Sequence, residues 1–114
     1  MGARDPYRFV NELDDAAIDR LITRLESRVK DAVFSRLFDK YVTWLKLPAS
    51  AQVLEVGCGT GAVVRALARR PDFLGKAVGV DHGPAFIEAA RRFAQEDGLS
   101  DRLEFHLGDA HKLP

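Results

Sequence analysis

A short apolar run, Val53-Leu54-Glu55-Val56, leads into Gly57-Cys58-Gly59-Thr60-Gly61 and then into an alanine-rich segment. No other passage constrains the fold as strongly. A strand, a glycine-rich turn and a helix in succession form the unit by which α/β proteins bring backbone N–H groups against a nucleotide-like ligand. The glycines at 57, 59 and 61 carry no Cβ to block that approach and tolerate φ > 0. Gly57-x-Gly59-x-x-Ala62 also satisfies the dinucleotide fingerprint G-x-G-x-x-G/A, so spacing alone leaves the ligand open. Glu55 bears on the choice: a carboxylate beside the turn repels a pyrophosphate and welcomes a cationic group.

The pattern around the turn is that of alternating strands and helices. Residues 52–56 read as a strand, 62–69 as a helix, and Pro71-Asp72 as a break. Residues 77–80 read as a second strand ending at Asp81. Pro84 opens a helix to about residue 97, with Phe86, Ala89, Ala90, Phe93 and Ala94 inward and Gly98 closing it. Residues 103–107 read as a third strand, followed by Gly108-Asp109. Short turns between alternating elements predict an α/β fold, a Rossmann-like partial parallel sheet of three strands. Two helices are expected before it. The first is capped by Asp14 or Asp15 and runs through about Lys30, with Ile18, Leu21, Ile22, Leu25 and Val29 at helical spacing. The second runs over residues 32–45, capped by Asp31 and stopped by Pro48, with a broad apolar stripe from Val33 to Leu45. Both are expected to be packing elements. The division predicted is a helical arm over 1–48 and a ligand-binding half-domain over 49–114.

Ligands of open parallel sheets bind outside the carboxyl ends of the strands. Here each of three strand ends carries an acid: Glu55, Asp81 and Asp109. Asp81 can accept hydrogen bonds from two vicinal ribose hydroxyls, which suits any adenosine ligand lacking a 2′-phosphate. The plainer reading of Asp81 is a cap for the helix at Pro84, and of Gly108-Asp109 an ordinary turn.

Taken together, Glu55-x-Gly57-x-Gly59-x-Gly61, Asp81 and Gly108-Asp109-Ala110-His111-Lys112-Leu113-Pro114 resemble the motifs of class I S-adenosylmethionine (SAM) dependent methyltransferases. The last segment resembles the G-D-A-x-x-L-P signature of the ubiquinone and small-molecule type. The resemblance covers residues 50 to 114 and implies SAM as cofactor, with S-adenosylhomocysteine as product. It implies that Glu55 faces the methionine ammonium and that residues 57–61, including Cys58 and Thr60, shape the turn around methionine and ribose. It implies further that Asp81 holds the ribose while Asp109 and Ala110 read the adenine edge. His82, followed by Gly83, stands where that family often packs an apolar side chain on adenine. A stacked imidazole and a solvated His-Gly-Pro turn are equally consistent with the residues. A complete member has seven strands, so three imply the N-terminal, cofactor-binding half of a larger enzyme. An unpaired inner strand then predicts self-association through the open sheet edge. The acceptor implied is a small molecule, and no catalytic base is assignable. A non-catalytic SAM-binding module and an NAD-dependent oxidoreductase fragment stay open as alternatives.

Composition narrows the rest. The chain has 114 residues, with 17 basic and 17 acidic side chains, so no net field recruits nucleic acid or an anionic membrane. No apolar run approaches a membrane span, and the charged start MGARDPYRF is not a secretory signal. One cysteine fits a reducing compartment, and the cytoplasm is the expected location. Cys58 has no visible partner base and reads as a small packed residue rather than a nucleophile. His106, Asp109 and His111 do not complete a metal site, and none is expected. Arg65, Arg69, Arg70, Arg91 and Arg92 read as solvated helix faces. Tyr7, Phe9 and Arg28 could cover a cofactor, with packing as the plainer role.

Overall fold

In a computed structural model, residues 14–109 are described. They form two helices, α1 (Asp15–Lys30) and α2 (Ala32–Leu45), followed by alternating β1 (Gln52–Val56), α3 (Ala62–Ala68), β2 (Lys76–Asp81), α4 (Pro84–Glu96) and β3 (Leu103–Leu107). The strands lie side by side in the order β1-β2-β3, all parallel. The expected α/β half-sheet with two preceding helices is therefore present. Tyr7, Phe9, Ala110 and His111 lie outside the described residues.

Local chemistry sets the boundaries. The Asp14 side chain accepts the Ala17 N–H at 2.8 Å and starts α1. One oxygen of Asp31 accepts the N–H groups of Val33 and Phe34 at 2.9 and 3.1 Å, which ends one helix and begins the next. α2 ends before Pro48 is reached: Lys46 turns left-handed at φ 53°, and its N–H bonds to the Thr43 carbonyl. Pro84 occupies the first turn of α4, where its missing N–H costs nothing.

Pairing register puts Val53, Glu55, Ala77, Gly79, Leu103 and Phe105 on one face of the sheet. Val64 and Ala68 of α3 and Ile87, Ala90 and Ala94 of α4 pack there in a single cluster with Ala77, Leu103, Phe105 and Cys58. Ile87 belongs to this core although helical spacing alone did not select it. Phe93 is only half-buried, and its ring is covered in part by the guanidinium groups of Arg65 and Arg92. Gly79 keeps the layer thin, since a Cβ there would meet Cys58 Sγ at 2.7 Å. A side chain buried as fully as Phe105 contributes about 1.5–3 kcal/mol by transfer from water.

The two N-terminal helices differ. α1 docks: Leu21 is buried against Phe86, with Ile18, Ile22 and Leu25 around it. α2 does not fit the expectation of a packed element. None of its residues is buried, and Leu37 and Trp44 are 62% and 75% exposed. Phe34, Phe38 and Val42 are half-buried while the rest of the stripe is exposed, so amphipathic spacing gave the helix correctly but not the extent of its burial.

Candidate functional site

The site is assembled at the carboxyl ends of β1 and β2. The turn after β1 is pinned first by backbone bonds: the N–H groups of Gly57 and Cys58 both donate to the Val80 carbonyl, at 2.7 and 3.0 Å. Gly57, Gly59 and Gly61 all have φ between 56° and 73°, a left-handed backbone that few other residues adopt cheaply. Their surroundings differ. A Cβ at Gly57 would point into open space, leaving room for a ligand. A Cβ at Gly61 would lie 2.5 Å from the Phe105 ring. At Gly61, then, the sequence needs glycine so that α3 can sit down on the sheet.

Asp81, at the end of β2, ties the two loops together. Its Oδ2 accepts the Gly59 N–H at 2.9 Å and its Oδ1 accepts the Gly83 N–H at 2.8 Å. Asp81 therefore closes the turn into α4 without capping the helix, because the amide it holds belongs to Gly83, the N-cap residue, and no side chain caps α4. A carboxylate offers about four acceptor positions, and two of Asp81's are satisfied by these amides. His82 is half-exposed, with Nδ1 3.6 Å from Asp81 Oδ1. Asp81 pairs with Leu107 of β3, and the Gly108 N–H donates to the Asp81 carbonyl at 2.9 Å, so Asp109 follows directly beyond the same rim. Asp109 is exposed.

Glu55 is the anomalous group. It sits on the core-facing side of β1, and its Oε1 is buried with no hydrogen-bond partner. Burial, and then the negative charge of Asp81, push its carboxyl up to about 7. A carboxyl so placed is only part-ionised near neutrality, and an approaching cation or donor favours its ionised form. Burial and the same two acids push the Cys58 thiol up to about 12, so it stays protonated and is no nucleophile. Among the described residues no three His, Cys, Asp or Glu side chains gather as metal ligands would.

Two readings need correction. Arg70 lies past the end of α3, its side chain mostly buried and paired with Asp39 and Asp72. Arg65 is not on a solvated face: it is 4% exposed and salt-bridged to Glu26 of α1 and to Asp97. Glu26 escaped notice because it flanks the apolar stripe of α1. The signal was present in Ala-Val-Val-Arg-Ala-Leu-Ala, where a lone charge in an apolar helix requires a partner.

Residues 53–114 match the family model of the methyltransferase domain. The chain belongs to that family. Beside a tRNA (uracil-5-)-methyltransferase homolog A of Homo sapiens, this methyltransferase domain is 43% identical over 61% of its length and 11% of the relative's. It is 40% identical to a 2-phytyl-1,4-naphtoquinone methyltransferase of Thermosynechococcus vestitus, over 64% of the chain and 31% of that protein. Among solved structures, it superposes on a SAM-dependent methyltransferase from Geobacter sulfurreducens in complex with S-adenosyl-L-homocysteine. That match has a TM-score of 0.56 and 32% identity, covering 64% of this chain and 28% of the other. The chain therefore spans less than a third of the length of each of these three relatives.

The matched region begins at β1 and contains the glycine turn, Asp81 and Asp109, whereas α1 and α2 precede it. The names of the two sequence relatives point to an RNA and to a naphthoquinone, so similarity at this level does not select an acceptor.

Proposed function

We propose that this chain is the cofactor-holding part of a SAM-dependent methyltransferase. The observation that carries the reading is the partnerless, buried Oε1 of Glu55, two residues before the open Gly57 and within the field of the Asp81 carboxylate. Two acids at one rim disfavour a pyrophosphate and favour a ligand that brings a cationic end and ribose hydroxyls. SAM has both. When bound, it supplies a methyl group activated by the sulfonium, which an acceptor nucleophile takes as the carbon–sulfur bond breaks.

The chain's own residues bind and orient. Glu55 accepts from the methionine ammonium, and the remaining lone pairs of Asp81 accept the ribose hydroxyls. Residues 57–61 bring the turn's backbone against the ligand, with Cys58 and Thr60 packed behind it. Asp109, with Ala110, reads the adenine edge. His82 and Gly83 lie along the adenosine side. Holding donor and acceptor in line is the protein's main contribution to such a transfer, worth up to about 7–11 kcal/mol in favourable cases.

The chain divides into an arm over 1–48 and a binding half-domain over 49–114, and the acceptor is a small molecule, a reading supported by the segment Gly108-Asp109-Ala110-His111-Lys112-Leu113-Pro114 and not by the relatives' names. Among the described residues β1 lies at an edge of the sheet, and this edge pairs with a strand of another chain. A buried, free Cys58 is in keeping with a reducing compartment and hence the cytoplasm.

Calorimetry of the full chain with SAM, S-adenosylhomocysteine and NAD tests the reading. Binding of S-adenosylhomocysteine that disappears in Asp81→Ala is the expected result. Binding of NAD alone would overturn it. Sedimentation of the same sample tests the edge: a monodisperse monomer with readily exchanging β1 amides excludes strand pairing.

A further inference from the structure

The helix that precedes the family-matched region reaches into the glycine turn. Glu26 of α1 accepts the Thr60 hydroxyl through Oε2 at 2.6 Å, and its Oε1 accepts from Arg65 Nη2 of α3. Arg65 Nη1 donates in turn to Asp97 Oδ2 at 3.3 Å, and its guanidinium lies 4.9 Å from the centroid of the Phe93 ring. Leu25, the neighbour of Glu26, occupies the space beside Gly59, its Cδ1 3.1 Å from where a Cβ would sit. Thr60 is 1% exposed, and the Glu26 side chain 19%.

From this arrangement we infer that Glu26 is a positioning residue for the cofactor turn, acting through Thr60 and Arg65. The inference rests on the reading of residues 57–61 as the cofactor turn. A turn with glycine at alternate positions has a large conformational freedom to lose. It is held here from two sides. Asp81 grips the Gly59 amide from β2, and Glu26 grips the next residue from α1. Because Glu26 also pairs with Arg65, one carboxylate fixes both the turn and the helix it feeds. Bonds to an ionised group inside a shielded site are about twice as strong as neutral ones. If Glu26 is lost, the Thr60 hydroxyl is buried without that acceptor, and Arg65 keeps Asp97 alone. α1 thereby shapes the binding site through the turn it holds.

The test uses the full chain with Glu26→Met, Thr60→Val, their double variant and Thr60→Ser. Amide hydrogen exchange at residues 57–61 is read alongside S-adenosylhomocysteine affinity and the melting temperature. Glu26→Met and Thr60→Val are each expected to speed turn exchange and to weaken affinity about tenfold. The double variant is expected to bind no more weakly than Glu26→Met, and Thr60→Ser to recover most of both losses. A lower melting temperature with unchanged turn exchange and affinity would reduce Glu26 to a structural ion pair and overturn the inference. Additive losses in the double variant would overturn it as well. If the unaltered chain binds no S-adenosylhomocysteine but its turn loosens as described, the positioning role stands and the cofactor reading falls. Should Glu26→Met fail to fold, Thr60→Val and Thr60→Ser decide the matter alone.

Discussion

The Asp81 carboxylate accepts the backbone N–H of Gly59 at 2.9 Å, joining residues 22 positions apart in the chain. Its other oxygen holds Gly83 at 2.8 Å, so one buried side chain sets the spacing of the loops after β1 and β2. In Asp81→Asn one of the two amides would face an NH2 group instead of an acceptor. The expected cost is about 1–3 kcal/mol of stability, with at least a tenfold loss of S-adenosylhomocysteine affinity. Chemical denaturation and calorimetry on the same sample measure the two together.

Glu55 gives the site a pH dependence. Its carboxyl is raised from 4.5 to about 7 in the folded chain, so between those values the fold retains a proton that the unfolded chain has released. The stability from this group is complete below 4.5 and is lost as pH rises through about 7. Melting curves of the unaltered chain minus those of Glu55→Gln should show a difference that declines across this window. Binding runs the other way. A ligand ammonium requires the ionised carboxylate, so S-adenosylhomocysteine affinity should climb between about pH 5 and 7, by at most tenfold per pH unit, and then level off. The climb should vanish in Glu55→Gln. A flat profile in the unaltered chain would place the ammonium elsewhere.

Gly61→Ala is expected to be destabilising by about 1–3 kcal/mol, since the new methyl would enter the Phe105 ring and φ there is 73°. Shrinking the ring in a Gly61→Ala/Phe105→Leu pair should relieve the clash but not the backbone strain. A double variant less stable than the sum of its singles would show that the clash is not the cause.

Cys58 should resist alkylation. With its thiol pushed up to about 12 and its side chain buried, iodoacetamide at pH 8 is expected to label it far more slowly than the same thiol in urea. Equal rates would mean that the turn opens freely.

The order of elements was legible because each has a local cause. Alternating apolar runs gave three strands, Asp14 and Asp31 announced helix starts through bonds made within three residues, and Pro84 did so through its fixed φ. The acids at the strand ends were legible for the same reason: a parallel sheet delivers every strand's carboxyl end to one rim. Two partnerships were not legible. Glu26 meets Thr60 across 34 positions and Arg65 across 39, and no spacing rule relates residues so far apart. The exposure of α2 was likewise hidden, since an apolar stripe records an ability to pack and not what lies opposite it.

The sequence by itself determined the strand–turn–helix order, the glycine turn and the family to which it belongs, all of which follow from short-range patterns. Tertiary structure alone decided what surrounds each residue of that turn. Gly57 faces open space and Gly61 faces Phe105, Glu55 has a buried oxygen without a partner, and α1 holds Thr60. The physical reason is that desolvation, steric fit and charge pairing depend on neighbours brought together in space, and the chain carries that information only once it is folded.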